Sequence, residues 1–154
     1  MPPELLLSLR ALLNSPLKDA GDWWLIGSTA ARLSGADLMP EDIDVFGSSA
    51  AMTAVVAHFG GASSNGTSGE RFRSQPFCRI TVPTGLPIEV MGGLEVQSNG
   101  IWQKLRIASR IAVATEAGTV YVPSLDEQIA IFELFGRDKD LAKAAILRRM
   151  REAT

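Results

Sequence analysis

At 154 residues, with 46% hydrophobic and 21% charged side chains, the chain has the composition of a globular domain large enough for a sizeable core. A net charge of −2 and a pI near 5.4 give no overall electrostatic footprint for nucleic acid, and the single Cys78 and single His58 exclude an internal disulfide, a cysteine-cluster zinc site and most histidine chemistry. No apolar run reaches membrane-spanning length, and the leucine-rich start lacks a basic leader and a small-residue cleavage site, so the expected compartment is the cytoplasm.

The chain opens with a predicted helix from about Glu4 to Leu13, where Leu5, Leu9 and Leu12 recur at helical spacing. Asn14-Ser15-Pro16 ends it. Its stripe packs on a sheet or makes a dimer contact. Trp23-Trp24-Leu25-Ile26 reads as a strand with the two tryptophans on opposite faces, as packing residues or, less simply, as a stacking platform for a base. Gly27-Ser28 follows. A glycine at a strand end permits close backbone approach. With Thr29-Ala30-Ala31-Arg32-Leu33 opening a helix, free N–H groups and the positive end of the dipole make a seat for phosphate. Arg32 is either the solvated side of that helix or a phosphate contact.

Glu41-Asp42-Ile43-Asp44-Val45-Phe46 reads as a second strand. Period two places Asp42 and Asp44 on one face and Ile43 and Val45 on the other. Two unit charges about 4 Å apart repel by roughly 4 kcal/mol at an effective dielectric near 20. A divalent cation between them removes that cost, and hard oxygen ligands without nearby Cys or His suit Mg²⁺ or Mn²⁺ rather than zinc.

Gly27-Ser28, a short helix ending in Leu33-Ser34-Gly35, and then Asp42-Ile43-Asp44 together resemble the signature of the polymerase-beta-like nucleotidyltransferase superfamily. The nearest likeness is to its small bacterial members, which include antibiotic nucleotidyltransferases and toxin components of toxin–antitoxin pairs. The resemblance implies an α+β fold: a two-layer, mixed, mostly antiparallel sheet with helices packed on it and a C-terminal helical pair. The whole chain, 1–154, is then one such domain, with a sheet-and-helix core over 1–122 and helices over 123–154.

Ala50 to Phe59 reads as a helix with Met52, Val55, Val56 and Phe59 on its apolar side and His58 near its end, structural or exposed. Gly60 to Gly69 is rich in Gly, Ser, Asn and Thr. It lacks the Gly-Lys-Ser/Thr of a Walker loop and is expected to be a mobile connection, or else a lid that orders on nucleotide. Arg71 and Arg73 share one face of a possible strand, placed to meet a triphosphate or an acidic acceptor, or simply at an exposed edge.

Phe77 to Val82 and Leu86 to Met91, separated by Pro83-Thr84-Gly85, read as a β-hairpin. Glu89 stands alone among apolar neighbours, which calls for a solvated edge or a positive partner. By resemblance, Glu89 matches the superfamily's third carboxylate, which joins the first two at the metals and helps to activate the acceptor hydroxyl. It is Glu where Asp is usual. Asn99-Gly100 and Glu116-Ala117-Gly118-Thr119 signal turns, with short strands at Ile111 to Ala114 and Thr119 to Val122 and Trp102 expected in the core.

Ser124 with Glu127 three residues later forms a capping-box pattern, so Glu127 is expected to cap a helix whose buried stripe is Leu125, Ile129 and Phe132 and which Gly136 closes. Arg137-Asp138-Lys139-Asp140 opens the last helix, with Ala142, Ala145, Ile146 and Met150 on one side. Small nucleotidyltransferases of this type often end in such a turn, and the resemblance puts Lys139 near the nucleotide phosphates; otherwise it belongs to a surface charge cluster. The preceding helix often carries a lysine in that family, where this chain has Glu133. Arg148, Arg149 and Arg151 form a basic tail, solvated or in contact with RNA.

The function that these residues and the resemblance together imply is Mg-dependent transfer of a nucleoside monophosphate from a nucleoside triphosphate to a hydroxyl. Gly27, Ser28 and Lys139 bind nucleotide, and Asp42, Asp44 and Glu89 are catalytic and hold Mg²⁺ or Mn²⁺. The acceptor is open between a small molecule, an RNA end and a protein hydroxyl, with RNA disfavoured by the acidic charge. A homodimer or partner protein is a candidate to complete the site. The alternative is a catalytically degenerate binding module of the same fold, such as a toxin–antitoxin component. A metal phosphohydrolase would need more ligands than the sequence offers.

Overall fold

In the computed structural model, residues 1–61, 64–68 and 71–154 are described, the strand at 64–68 by its backbone alone. Helix α1 (Pro3–Leu13) buries Leu5, Leu9 and Leu12, the stripe its spacing predicts. After a short 3-10 turn come strand β1 (Trp23–Ile26), helix α2 (Gly27–Leu33), strand β2 (Ile43–Gly47) and helix α3 (Ser49–His58). Strands β3 (Ser64–Ser68), β4 (Phe72–Ile80), β5 (Ile88–Gly92), β6 (Glu95–Ser98) and β7 (Ile101–Lys104) follow. A hairpin of β8 (Ile111–Thr115) and β9 (Gly118–Val122) leads into α4 (Leu125–Phe135) and α5 (Asp138–Glu152).

The main sheet has the order β1-β2-β5-β4-β6-β7, with β3 paired to β4; β8 and β9 form a second, two-stranded sheet. Among the described residues only β2 and β5 run parallel, and the other pairings of the main sheet are antiparallel. The α+β class and the mostly antiparallel mixed sheet are those expected.

Alternation along the strands gives each face its own core. Leu25, Val45 and Val90 lie with Leu5, Leu9 and Leu12 of α1 and Met52, Val55 and Val56 of α3. The opposite face gathers Ile26, Phe46 and Met91 with Phe72 and with Ile131 and Phe135 of α4. A third cluster joins α2, α4 and α5 through Ala31, Ile129, Phe132, Ala144 and Leu147. The second face carries the acids, because Asp44 and Glu89 lie two residues before Phe46 and Met91 on their strands.

Four expectations change. Part of the Gly60–Gly69 stretch is the strand β3, paired to β4; the lid reading of its residues 62, 63 and 69 lies outside the described residues. Trp102 is half-buried on β7 beneath the Arg73 guanidinium, 4.1 Å from the ring centroid, because the Asn99-Gly100 turn folds β7 to the sheet's edge. The buried stripe of α5 is Asp140, Ala144 and Leu147 and Ala142 is exposed, because the helix turns its Ala144 side to α2 and α4. Glu127 does not return to the backbone of Ser124. Ser124 Oγ accepts from the Glu127 N–H, while the Glu127 carboxylate accepts from Ala108 N–H, Ser109 N–H and Ser109 Oγ.

Candidate active site

One row across the sheet builds the site. Ile26 at the end of β1 pairs with Asp44 of β2, Asp44 with Glu89 of β5, and Glu89 with Arg79 of β4. In register, the three polar side chains stand on one face. Asp42, two residues before Asp44, joins them just ahead of β2. Its position is held by the buried Thr29, whose Oγ1 donates to the Asp42 carbonyl at 2.8 Å. One carboxylate oxygen from each of Asp42, Asp44 and Glu89 lies within 4.8 Å of the others.

Gly27 begins α2 beside Asp44, because β1 ends there. Its φ is +69°, and a Cβ at this position would come to 2.7 Å from Asp44 Oδ2. Both facts favour glycine. Ser28 follows, half-buried, in the same first turn. Burial pushes the Asp44 carboxyl well above its usual range, the neighbouring acids Asp42 and Glu89 push it further, and Lys143 opposes them.

The three acids fit a hard divalent cation. Oxygens that share an octahedral Mg²⁺ at about 2.1 Å lie at most about 4.2 Å apart. At least two of the three pairs would then lie about 3 Å apart, so the side chains must close on the ion. The donor set is all oxygen, as Mg²⁺ or Mn²⁺ requires.

A cavity of about 80 Å³ lies against the acids. Phe72, Phe77, Met91 and Phe135 wall it, and Asp44, Glu89, Ser74 and Arg137 are its polar groups. Arg137 is fixed there by two bonds to the buried Asp140, of 2.6 and 3.1 Å, and lies over the Phe72 ring.

The sequence-derived residues divide accordingly. Gly27, Asp42, Asp44 and Glu89 come together. Lys139 is exposed on the first turn of α5, one turn before Lys143, the residue whose charge acts on Asp44. Arg71 donates to the Phe135 carbonyl at 2.6 Å, and Arg73 pairs with Glu95 at 2.9 Å. Both have structural partners outside the acid cluster. Thr29, Arg79, Arg137 and Lys143 were not identified from sequence. A signal existed for two of them. Arg79 stands alone between Cys78 and Ile80 as Glu89 does between Ile88 and Val90, and Lys143 follows Lys139 at helical spacing.

Compared with solved structures over its whole length, the chain has the nucleotidyltransferase fold. A Thermotoga maritima protein, provisionally designated a nucleotidyltransferase, matches it with a TM-score of 0.67 and 22% identity, over 96% of this chain and 94% of that one. At that identity the likeness is one of fold. No protein-family model and no curated protein matches the sequence.

Proposed function

We propose that the chain is a divalent-metal-dependent nucleotidyltransferase that moves a nucleoside monophosphate from a nucleoside triphosphate to a hydroxyl acceptor. The observation that carries this is the convergence of Asp42, Asp44 and Glu89 beside Gly27, whose left-handed φ and close approach to Asp44 Oδ2 both favour glycine. The fold likeness supports it. Mg²⁺ or Mn²⁺ held by the three acids would supply charge neutralisation at the phosphates and a lowered pKa at the acceptor hydroxyl.

The chain's own residues have the following parts. The first turn of α2, at Gly27 and Ser28, receives the phosphates, with Lys143 and Lys139 of α5 as counter-charges and Arg137 at the cavity. The acceptor oxygen bonds to the α-phosphorus in line, the bond from that phosphorus to the β-phosphate oxygen breaks, and pyrophosphate leaves with the electron pair. Glu89 takes the hydroxyl proton. A small-molecule, protein or RNA hydroxyl is an eligible acceptor, and a second copy or a partner protein completes its side of the site. Among the described residues no helix is long and apolar enough to cross a membrane.

The competing reading, a catalytically idle module of this fold such as a toxin–antitoxin component, draws its support from Arg79, which already bridges Glu89 and Asp42.

Thermal stability with each nucleoside triphosphate, with and without Mg²⁺, separates the two. Ligand at 100 times its dissociation constant stabilises by about 2.7 kcal/mol, a shift of roughly 5–10 °C for a chain of this size. A Mg²⁺-dependent shift that Asp44→Asn abolishes is the expected result and names the base. No shift with any nucleotide rejects the transferase in favour of the idle module.

A further inference from the structure

We infer that Arg79 is a stand-in cation: its guanidinium spans Glu89 and Asp42, two of the acids that would hold a divalent ion, and it must swing away when that ion loads. The inference rests on the metal-dependent reading above and concerns how that site is filled.

Arg79 and Glu89 are directly opposite on β4 and β5, so their side chains leave the same face of the sheet side by side. Arg79 Nη1 donates to Glu89 Oε1 at 2.5 Å, and the same nitrogen lies 3.5 Å from Asp42 Oδ2. One cationic nitrogen thus stands between two of the three carboxylates that would share an ion. A divalent ion needs the lone pairs of those oxygens at about 2.0–2.1 Å. Guanidinium and ion are then two cations competing for the same oxygens, and their mutual repulsion at such a distance is twice that of two unit charges. Arg137, which lines the cavity, has a different anchor in Asp140, and Arg73, farther along β4, pairs with Glu95. The Arg79 side chain is 51% exposed. The strand fixes its backbone, and its long stem leaves the head group a way out to water.

Two consequences follow. Until an ion loads, the guanidinium partly neutralises the cluster, which limits the repulsion among three close carboxylates. Loading the ion releases a guanidinium at the mouth of the site, free to meet an anionic substrate.

Titration of the full chain with Mn²⁺ alone, followed by calorimetry or by the electron paramagnetic resonance of free Mn²⁺, tests this. Arg79→Gln and Arg79→Met both remove the competing charge, and whichever folds answers the question. Each should bind Mn²⁺ more tightly than wild type, by roughly tenfold, whereas Arg79→Lys stays near wild type. If Arg79 instead orients Glu89 for the metal, its removal weakens binding. Equal or weaker binding by the neutral variants, with saturable binding by wild type that Asp44→Asn loses, overturns the inference and leaves the transferase reading intact. No saturable binding by wild type or by any Arg79 variant overturns both.

Discussion

Asp44 and Glu127 are both half-buried carboxylates, and the chain treats them in opposite ways. Asp44 sits in a row of charge, with acid neighbours at Asp42 and Glu89 and burial raising its carboxyl well above the usual range. Glu127 sits where the 108–109 backbone meets the start of α4. Burial pushes its carboxyl up too, but hydrogen bonds from Ala108 N–H, Ser109 Oγ and Ser109 N–H outweigh that and hold it below the usual range. The Ser109 hydroxyl closes the junction by accepting from the Ser124 N–H at 2.8 Å. One carboxylate is satisfied by the protein itself. The other has a fellow acid, Glu89, as its hydrogen-bond partner, which favours its protonated form and leaves its charge opposed. A carboxylate whose charge the fold opposes points to function, and one whose charge it supports with backbone donors points to architecture.

Neutralising each acid should break this contrast most sharply. Asp44→Asn is expected to cost on the order of 10³-fold in nucleotidyl transfer. At neutral pH it should nonetheless raise the melting temperature of the metal-free protein, because it removes a charge the fold disfavours. An Asp44→Asn protein with near-wild-type transfer would reject the catalytic assignment. Glu127→Ala should do the reverse. It leaves the chemistry alone but strands the Ala108 and Ser109 donors, costing about 2 kcal/mol, or roughly 4–8 °C in melting temperature.

Backbone geometry comes next. Gly27→Ala forces a side chain into left-handed backbone, which costs about 1–2 kcal/mol, and drives its Cβ against Asp44 Oδ2. It should therefore abolish the Mg²⁺-dependent nucleotide shift as well as lower stability. A variant that only loses stability would separate Gly27 from the site.

The pH dependence of stability sharpens the comparison without mutation. For Asp44 the folded pKa is raised, so the folded protein holds a proton the unfolded chain has released. Its contribution is full below the ordinary carboxylate range and is lost as pH rises through the raised value. For Glu127 the folded pKa is lowered. Its contribution is present above the ordinary range and lost as pH falls through the depressed value. Metal-free wild type should thus gain stability on mild acidification and lose it on stronger acidification. Asp44→Asn should lack the gain and Glu127→Ala should lack its share of the loss. The smallest effect is expected at the lysines. Lys143→Ala should weaken triphosphate affinity by up to about fivefold, and Lys139→Ala by less. Calorimetric titration with a nucleotide would reverse that order if the exposed lysine is the true contact.

The hairpins, the α4 caps and the α1 stripe were legible because local rules write them. Ser124 caps α4 through its own hydroxyl, and Gly136 ends the helix in left-handed backbone at φ +70°. The Asp42–Asp44 pair was legible for the same kind of reason: period two on a strand needs only two residues and the space between them. Glu89 could be singled out as a lone carboxylate between Ile88 and Val90, but its nearness to Asp44 depends on β5 entering the sheet parallel to β2. That pairing joins segments about 45 residues apart in sequence, and no local pattern encodes it. Arg79 shows the limit best. It alternates with Cys78 and Ile80 on its strand, and only strand order puts its guanidinium across Glu89 and Asp42. The turn of α5 that brings Lys143, rather than Lys139, into the field of Asp44 is likewise set by packing of Ala144 and Leu147 on α2 and α4. Local chemistry, then, determined which residues carry charge and which face of an element they leave. Long-range pairing decided which charges meet, because register between distant strands is chosen by burial of the whole sheet rather than by any one segment.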